Sequence, residues 1–191
     1  MANGRVLTGF SLPYVAAYTY TTSSGVTYSS GQILARGVSV SLDITSGDDN
    51  KFYADNQAAE SVSGQFQEGT CTLTVDGLLT TAENLILGTT ETSGVTDFGD
   101  LNQPYMGIGF IARYMSGGTT SWVPMIIPKA KFNIPSLEAA TQEEDIDWQT
   151  QELTADILRD DTANHIWLKK FTACTTEALA EAQIKNAFSI A

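Results

Sequence analysis

A run of acidic residues lies between positions 143 and 156. It holds six carboxylates within fourteen positions that contain no Lys or Arg. Side chains at this density could bind a hard metal ion, act as paired acids and bases, or form an anionic surface. The six residues are Glu143, Glu144, Asp145, Asp147, Glu152 and Asp156.

Two of these chemistries define an alternative function, a monomeric β-sandwich that binds calcium or carbohydrate. Oxygen ligands for calcium are abundant in GDDNKFYAD (47–55) and TQEEDID (141–147), although neither has the spacing of a calcium-binding loop. Trp122, Trp148 and Trp167 could serve as platforms for a sugar beside paired carboxylates, but tryptophan in a strand is more often core.

Catalytic motifs are weak throughout the sequence. His165 is the only histidine, and no G-x-S-x-G sequence precedes a helix, so a hydrolytic triad is not expected. Residues 107–112 match G-x-G-x-x-A, but they lie within a predicted strand rather than opening a helix. We therefore expect no enzymatic activity, no cofactor and no bound metal, and we expect these glycines to mark a close backbone approach.

Composition narrows the class of protein. The 191 residues carry a formal net charge of −12, which disfavours a protein that grips nucleic acid through a basic patch. No secretory signal or membrane-spanning run is recognisable, and the length suits one domain over residues 1–191. Cys71 and Cys174 are expected to be reduced and packed rather than bridged.

The elements that must position the acidic run are mostly strands. Period-2 alternation predicts antiparallel strands at 37–44 and 70–77, with Val38, Val40, Leu42 and Ile44 on one face of the first. Further strands are predicted from 13 onward, at 104–115 and 122–132 around an SGGTT hairpin, and in a last pair at about 146–158 and 165–171. Pro124 and Pro128 predict that strand 122–132 lies at an edge or is bulged.

Two helices and one long insertion complete the pattern. A helix is predicted from a Thr80 cap to Gly88, and another at 175–188 with a stripe of Ala180, Ile184, Ala187 and Phe188. Residues 45–61 are predicted to be a long polar loop between strands, and loops of that length are usually functional. The expected fold is mainly β, an antiparallel sandwich or partly rolled barrel with one short flanking helix and a C-terminal helix.

Several segments together resemble the major tail tube proteins of long-tailed bacteriophages, of the type found in phages and prophages of Gram-positive bacteria. The resemblance covers about residues 1–168 apart from 89–103, and the C-terminal helix matches less well. It is carried by NGRVLTGFSLPYVAAY, LARGVSVSLD, DDNKFYADNQAAES, TLTVDGL, PYMGIGFIARYM with its partner strand to FNIPS, and AATQEEDIDWQTQELTADILRDDTANHIW.

The resemblance implies a structural protein that functions as an assembly. Six copies would form a ring whose inner sheets join into a barrel, and stacked rings would form the hollow tail tube that carries viral DNA to the host. A tape-measure protein would occupy the lumen during assembly in the host cytoplasm, with tail terminator and distal tail or baseplate proteins at the ends of the tube in the virion. The 45–61 loop would reach the neighbouring ring through Asp48, Asp49, Phe52, Tyr53 and Asp55.

In such a tube, the acidic residues would let DNA slide, because a negative lumen repels phosphate. We expect some of Asp147, Gln149, Gln151 and Glu152 to face that lumen. A companion hypothesis places Glu143, Glu144 and Asp145 at a subunit boundary, paired with one of three cations of a neighbour: Lys129, Lys131 or Arg113.

Overall fold

The computed structural model describes residues 4–48, 50–54, 57–62, 64–137 and 149–190, and within these ranges no helix is long and apolar enough to cross a membrane. The helices are α1 (Thr80–Leu87) and α2 (Glu177–Ala187). The strands are β1 (Val6–Thr21), β2 (Gly25–Ile33), β3 (Gly37–Ser46), β4 (Asn50–Ala54), β5 (Gln57–Val62), β6 (Phe66–Val75), β7 (Glu91–Thr92), β8 (Val95–Thr96), β9 (Met106–Ser116), β10 (Thr119–Phe132), β11 (Gln151–Leu158) and β12 (Lys169–Lys170).

Eight of the strands form one antiparallel sheet in the order β2-β1-β9-β10-β11-β6-β3, with β12 paired to β10. The sheet does not close into a barrel. It curls, so that β1 and β3 come into contact where the Phe10 ring lies against Gly37, and this gives two facing layers as in a sandwich. The predicted mainly β, antiparallel, sandwich-like fold with two helices is confirmed.

The two faces of the sheet bury different cores. The inner face holds the larger cluster. Strands β1, β9, β10, β11, β6 and β3 all contribute side chains to it, and α1 packs into it through Ala82, Ile86 and Leu87. The outer face of β1, β9 and β10 holds a second cluster beneath α2. Cys71 is buried in the first cluster and Cys174 in the second, and both are free, as predicted.

Helix α2 forms where the sequence predicts it. The Thr176 side chain accepts a hydrogen bond from the Leu179 backbone N–H at 3.3 Å, which caps the helix N-terminus. Ala180, Ile184 and Phe188 are buried against the sheet. The predicted close approach at the glycines of β9 is also confirmed, since a Cβ on Gly109 would lie 2.7 Å from Ile184 Cγ2.

Local irregularities correct two sequence expectations and bear out one alternative of a third. Val38 is exposed, because a register shift between Gly37 and Ser39 interrupts the alternation that partly buries Val40, Leu42 and Ile44. Strand β10 is not an edge strand; it lies between β9 and β11, and the predicted bulge is found where the register shifts between Ile127 and Ala130. Helix α1 begins after Leu79 without a side-chain cap, so the predicted Thr80 capping box is wrong.

Two larger corrections concern pairing. Strand β12 pairs with β10 rather than with β11, so the predicted terminal hairpin does not form. The predicted 45–61 loop is largely strand: β3 continues to Ser46, and β4 and β5 pair as a separate two-stranded hairpin. Gly47 N–H donates to Gln65 C=O at 2.9 Å, so this hairpin, called here the arm (residues 48–63), continues the β3–β6 ribbon.

Candidate functional site

The outer face of β3, β6 and β11 differs from the rest of the sheet because no other element of the described chain covers it with apolar contacts. Strand pairing brings nine side chains into three ranks, each crossing all three strands. All nine are hydroxyls or carboxylates. The ranks are Ser39–Thr74–Glu152, Ser41–Thr72–Thr154 and Asp43–Thr70–Asp156. With Thr45 and Glu68, which pair beyond the third rank, they form what is called here the acidic face.

The sequence produces this face by strict alternation. In β6, Cys71, Leu73 and Val75 point into the core, which leaves the intervening threonines on the opposite side. In β11, Leu153, Ala155 and Ile157 are buried in the same way. The face is therefore a consequence of core burial, and its register cannot slip without exposing the core.

Four carboxylates give the face its charge: Asp43, Glu68, Glu152 and Asp156. Among the described residues, none of them has a Lys or Arg nitrogen within 4 Å. Asp43 and Asp156 are two strands apart, roughly 10 Å at the usual strand spacing, which is about one Debye length at 0.1 M salt. An ion near the face therefore experiences these charges together.

Cations are confined to the border of the face. Lys131 on β10 pairs with Asp156 across the strands, and no Lys or Arg occurs within the described outer positions of β3, β6 or β11. Ordinary protein surfaces mix charges of both signs. A face of hydroxyls and carboxylates without a cation on its own three strands holds water and repels phosphate. Its nearest cations lie at the border: Lys131 beside Asp156, and Lys129 and Arg159, which line a cleft with Asp43 and Glu68.

The structure places the residues predicted to face the lumen on different surfaces. Glu152 lies on the acidic face, whereas Gln151 lies on the inner face, where its Oε1 accepts a hydrogen bond from the Leu78 N–H at 3.3 Å. Gln149 is exposed and lines a cleft with Asp76 and Leu137. The predicted residues Glu143, Glu144, Asp145 and Asp147 lie outside the described residues.

The predicted contact loop is described in part. Asp48 is exposed just after β3, and Phe52 and Tyr53 lie in β4 of the arm. Asp49 and Asp55 lie outside the described residues. Their assignment to contacts between rings stays a prediction.

The three candidate cations differ in availability. Lys129 is already paired inside the chain: its Nζ lies 2.8 Å from Asp161 Oδ2 and 4.5 Å from the centroid of the Tyr105 ring, and only 13% of its side chain is exposed. Its hydrogen bond to Asp161 holds the pKa of that carboxyl below its ordinary value. Lys131 borders the acidic face, and Arg113 is exposed without a carboxylate partner among the described residues.

The remaining candidate residues are two tryptophans that pack against other side chains and one exposed histidine. Trp167 stacks on Phe66 at 5.0 Å between ring centroids, and Trp122 packs against the cluster beneath α2. His165 is exposed. Within the described residues, no group of three or more His, Cys, Asp or Glu side chains is arranged to hold a metal ion.

Sequence reasoning missed most of the acidic face. It identified Glu152 and Asp156, which belong to the acidic run, but not Asp43, Glu68 or the rows of Ser and Thr on β3 and β6. The signal was present in the alternating hydroxyls of SVSLDIT and GTCTLTV. No protein-family model matches the chain, and no curated protein matches it significantly.

Proposed function

We propose that the protein is a structural subunit that assembles into rings and stacks as the hollow tail tube of a bacteriophage, with the acidic face lining the channel through which DNA passes. The observation that carries this proposal is the uncovered acidic face itself. On the neighbouring strands, α2 buries the same side of the sheet, so the exposed half is a defined surface.

The open sheet supports assembly. Its two ends are β2 and β3, nine and ten residues long, and each leaves one side of its backbone without a strand partner in the described chain. Exposed edges of this length favour pairing with other chains unless they are covered. Joining such edges around a ring would place the acidic faces of six copies side by side.

The arm supports stacking. It is a two-stranded extension of the β3–β6 ribbon that belongs to no larger sheet. An isolated hairpin is marginal in water, which favours a partner surface in the assembled state. The arm carries Asp48, Phe52 and Tyr53, and we assign it to contacts with the next ring.

The proposed tube implies the partners of the protein. The tape-measure protein and viral DNA would occupy the lumen without specific binding, and the terminator and distal tail or baseplate proteins would contact the end rings. The protein would reside in the virion and in the host cytoplasm during assembly. No cofactor or catalytic residue has a role in this function.

Electron microscopy of the purified protein at several concentrations, with sedimentation velocity, tests the proposal. Rings or tubes with a central hole, increasing with concentration, are expected. A chain that stays monomeric at every concentration, with or without preformed tail-end complexes as initiators, would contradict it. Calcium and glycan titrations of that monomer would then test the alternative of a β-sandwich binding module.

A further inference from the structure

A second charged surface lies at the β9–β10 hairpin end of the molecule. The Arg5 guanidinium carbon lies 5.4 Å from the centroid of the Tyr114 ring, and Lys170 Nζ lies 5.3 Å from the same centroid. Leu7 pairs with Tyr114 across β1 and β9 and is 59% exposed. These four residues are called here the basic patch.

The cations of the basic patch lack carboxylate partners. Arg36, Lys129 and Lys185 each lie within 4 Å of an Asp or Glu, but among the described residues Arg5 and Lys170 do not. The chain has a net charge of −12, so a site where two cations share one tyrosine and have no carboxylate partner among the described residues is unusual in this protein. Together with an exposed leucine, they fit an acidic segment that also carries an apolar side chain.

We propose that the basic patch binds the acidic segment 143–147 of a second copy of this chain. That segment, EEDID, has four carboxylates around Ile146 and no cation. The carboxylates match Arg5 and Lys170, and Ile146 matches Leu7 and the edge of Tyr114. The inference deepens the proposed function, and rests on it, because it names the surfaces that join one subunit to the next.

The segment is too short to reach the basic patch of its own chain. Leu137 and Gln149, on either side of the undescribed stretch, line the same cleft together with Gly77. Residue 143 is six residues from each of them, so it extends at most roughly 20 Å from that cleft.

The basic patch lies farther away than this. Tyr114 pairs with Ser121, and β10 runs eleven residues from there to Phe132, roughly 35 Å along the strand. The cleft lies beyond the Phe132 end, because Phe132 pairs with Ala155 and the cleft is lined by Gln151, four residues further along β11. The contact therefore joins different copies.

A contact between two different surfaces is heterologous. Each copy offers its segment to one neighbour and its basic patch to another, which builds a closed ring or an open stack rather than an isolated dimer. It also gives the unpaired cations and the densest acidic run of the chain a shared role. The companion hypothesis named Arg113, which lies on the same strand as Tyr114 but alternates to the other face.

A charge exchange tests the inference. One chain carries a reversed basic patch (Arg5→Glu with Lys170→Glu), and another carries a reversed segment (Glu143→Lys, Glu144→Lys and Asp145→Lys). Each variant chain on its own places like charges opposite one another at the contact. The protein concentration at which half of it is assembled, measured by sedimentation velocity, should therefore rise at least about tenfold. Mixed one to one, every contact between the two chains regains opposite charges, so assembly should return to within about threefold of the unmodified protein.

The matched control is Arg36→Glu with Lys185→Glu, which changes the net charge as the reversed basic patch does but leaves the basic patch and every candidate partner of the segment intact. It should assemble like the unmodified chain. Reversed chains that assemble normally, or a mixture that stays dissociated, would overturn the inference while leaving the proposed function standing. An unmodified chain that never assembles would instead contradict the proposed function, and with it this contact.

Carbodiimide cross-linking keeps the test decisive if a reversed chain fails to fold. Unmodified light and ¹⁵N-labelled heavy chains are mixed, assembled and cross-linked, and the cross-linked peptides are identified by mass spectrometry. Links from Lys170 to residues 143–147 that join light to heavy peptides are expected. Links found only within light or only within heavy chains, or none from Lys170 to this segment, would overturn the inference.

Discussion

At Gly109, the absence of a side chain determines how closely α2 packs on the sheet. A Cβ there would lie 2.7 Å from Ile184 Cγ2 and 2.8 Å from Phe188 Cε2, both in the buried stripe of the helix. We expect Gly109→Ala to lower the free energy of unfolding by about 1–3 kcal/mol through overpacking. Chemical denaturation measures this change.

Gly99→Ala is the matched control for that substitution. Nothing lies within 4 Å of the Cβ that would be added there, and the backbone is not in a left-handed conformation. The control should keep its stability or gain slightly, because alanine reduces the entropy of the unfolded chain. Equal effects of the two substitutions would contradict the close packing of α2.

The pairing of Lys129 with Asp161 makes a separate prediction about pH. Because the folded pKa of Asp161 is lowered, its ionised form stabilises the protein at neutral pH, and this contribution is lost as the pH falls below the ordinary value of 3.8. The carboxylate is partly exposed, so Asp161→Asn should cost no more than about 1 kcal/mol.

The pH dependence of this cost is the measurement. The difference between Asp161→Asn and the unmodified chain should be constant from about pH 7 to 5. It should shrink as the pH falls through the lowered pKa of Asp161 and disappear once that carboxyl is protonated in the folded chain. Asp43→Asn, which removes an exposed carboxylate without an ion-pair partner in the described chain, is the control for loss of a carboxylate as such. A cost for Asp161→Asn that persists at low pH would mean that packing, not charge, explains it.

The arm can be removed without disturbing the main sheet. The Gly47–Gln65 hydrogen bond already brings its two ends together, so residues 48–63 can be replaced by an Asn-Gly turn. We expect a folded chain with nearly unchanged stability that forms single rings but no stacks. Electron microscopy distinguishes rings from tubes, and full-length tubes from this variant would contradict the role of the arm.

The elements show what the sequence can and cannot predict. Alternation predicted β3 and β6, because burial of one face imposes it locally. The SGGTT hairpin predicted that β10 follows β9, although both of these strands are buried on both faces. Alternation failed for the arm, whose strands occur where the sequence predicted only a polar loop. It also failed for the pairing of β12, because the choice of β10 over β11 depends on the curl of the whole sheet.

The same limit of local sequence patterns applies to the candidate site. The acidic run was visible because its residues are consecutive, whereas the acidic face is assembled from three strands spread between Ser39 and Asp156. Only Glu152 and Asp156 belong to both. Pairing partners at such sequence separation are set by tertiary structure, so no local pattern could predict them.

For the whole molecule, charge is unevenly distributed: the acidic face is anionic, and the cations of the basic patch, without a carboxylate partner among the described residues, lie near the opposite end of β10. In the proposed tube, the acidic face lines the channel. Glu152→Lys with Asp156→Lys would place cations in the channel. Phage particles built with this chain should assemble but release DNA more slowly, most clearly at low salt, because lysines bind phosphate. Normal release from such particles would argue that the acidic face does not line the channel.

The proposal that the acidic face lines the channel is tested by the accessibility of a cysteine on that face within assembled tubes. Cys71 and Cys174 are buried, and burial raises the pKa of the Cys71 thiol to about 12, so a Thr72→Cys chain should react at the new site alone. Ala182→Cys, on the exposed side of α2, is the matched control. In tubes, Thr72→Cys should react with a small maleimide but lose reaction with a maleimide on a large polymer, while Ala182→Cys keeps both. Reaction of both sites with the large reagent in tubes would show that the acidic face is outside, and would contradict the account.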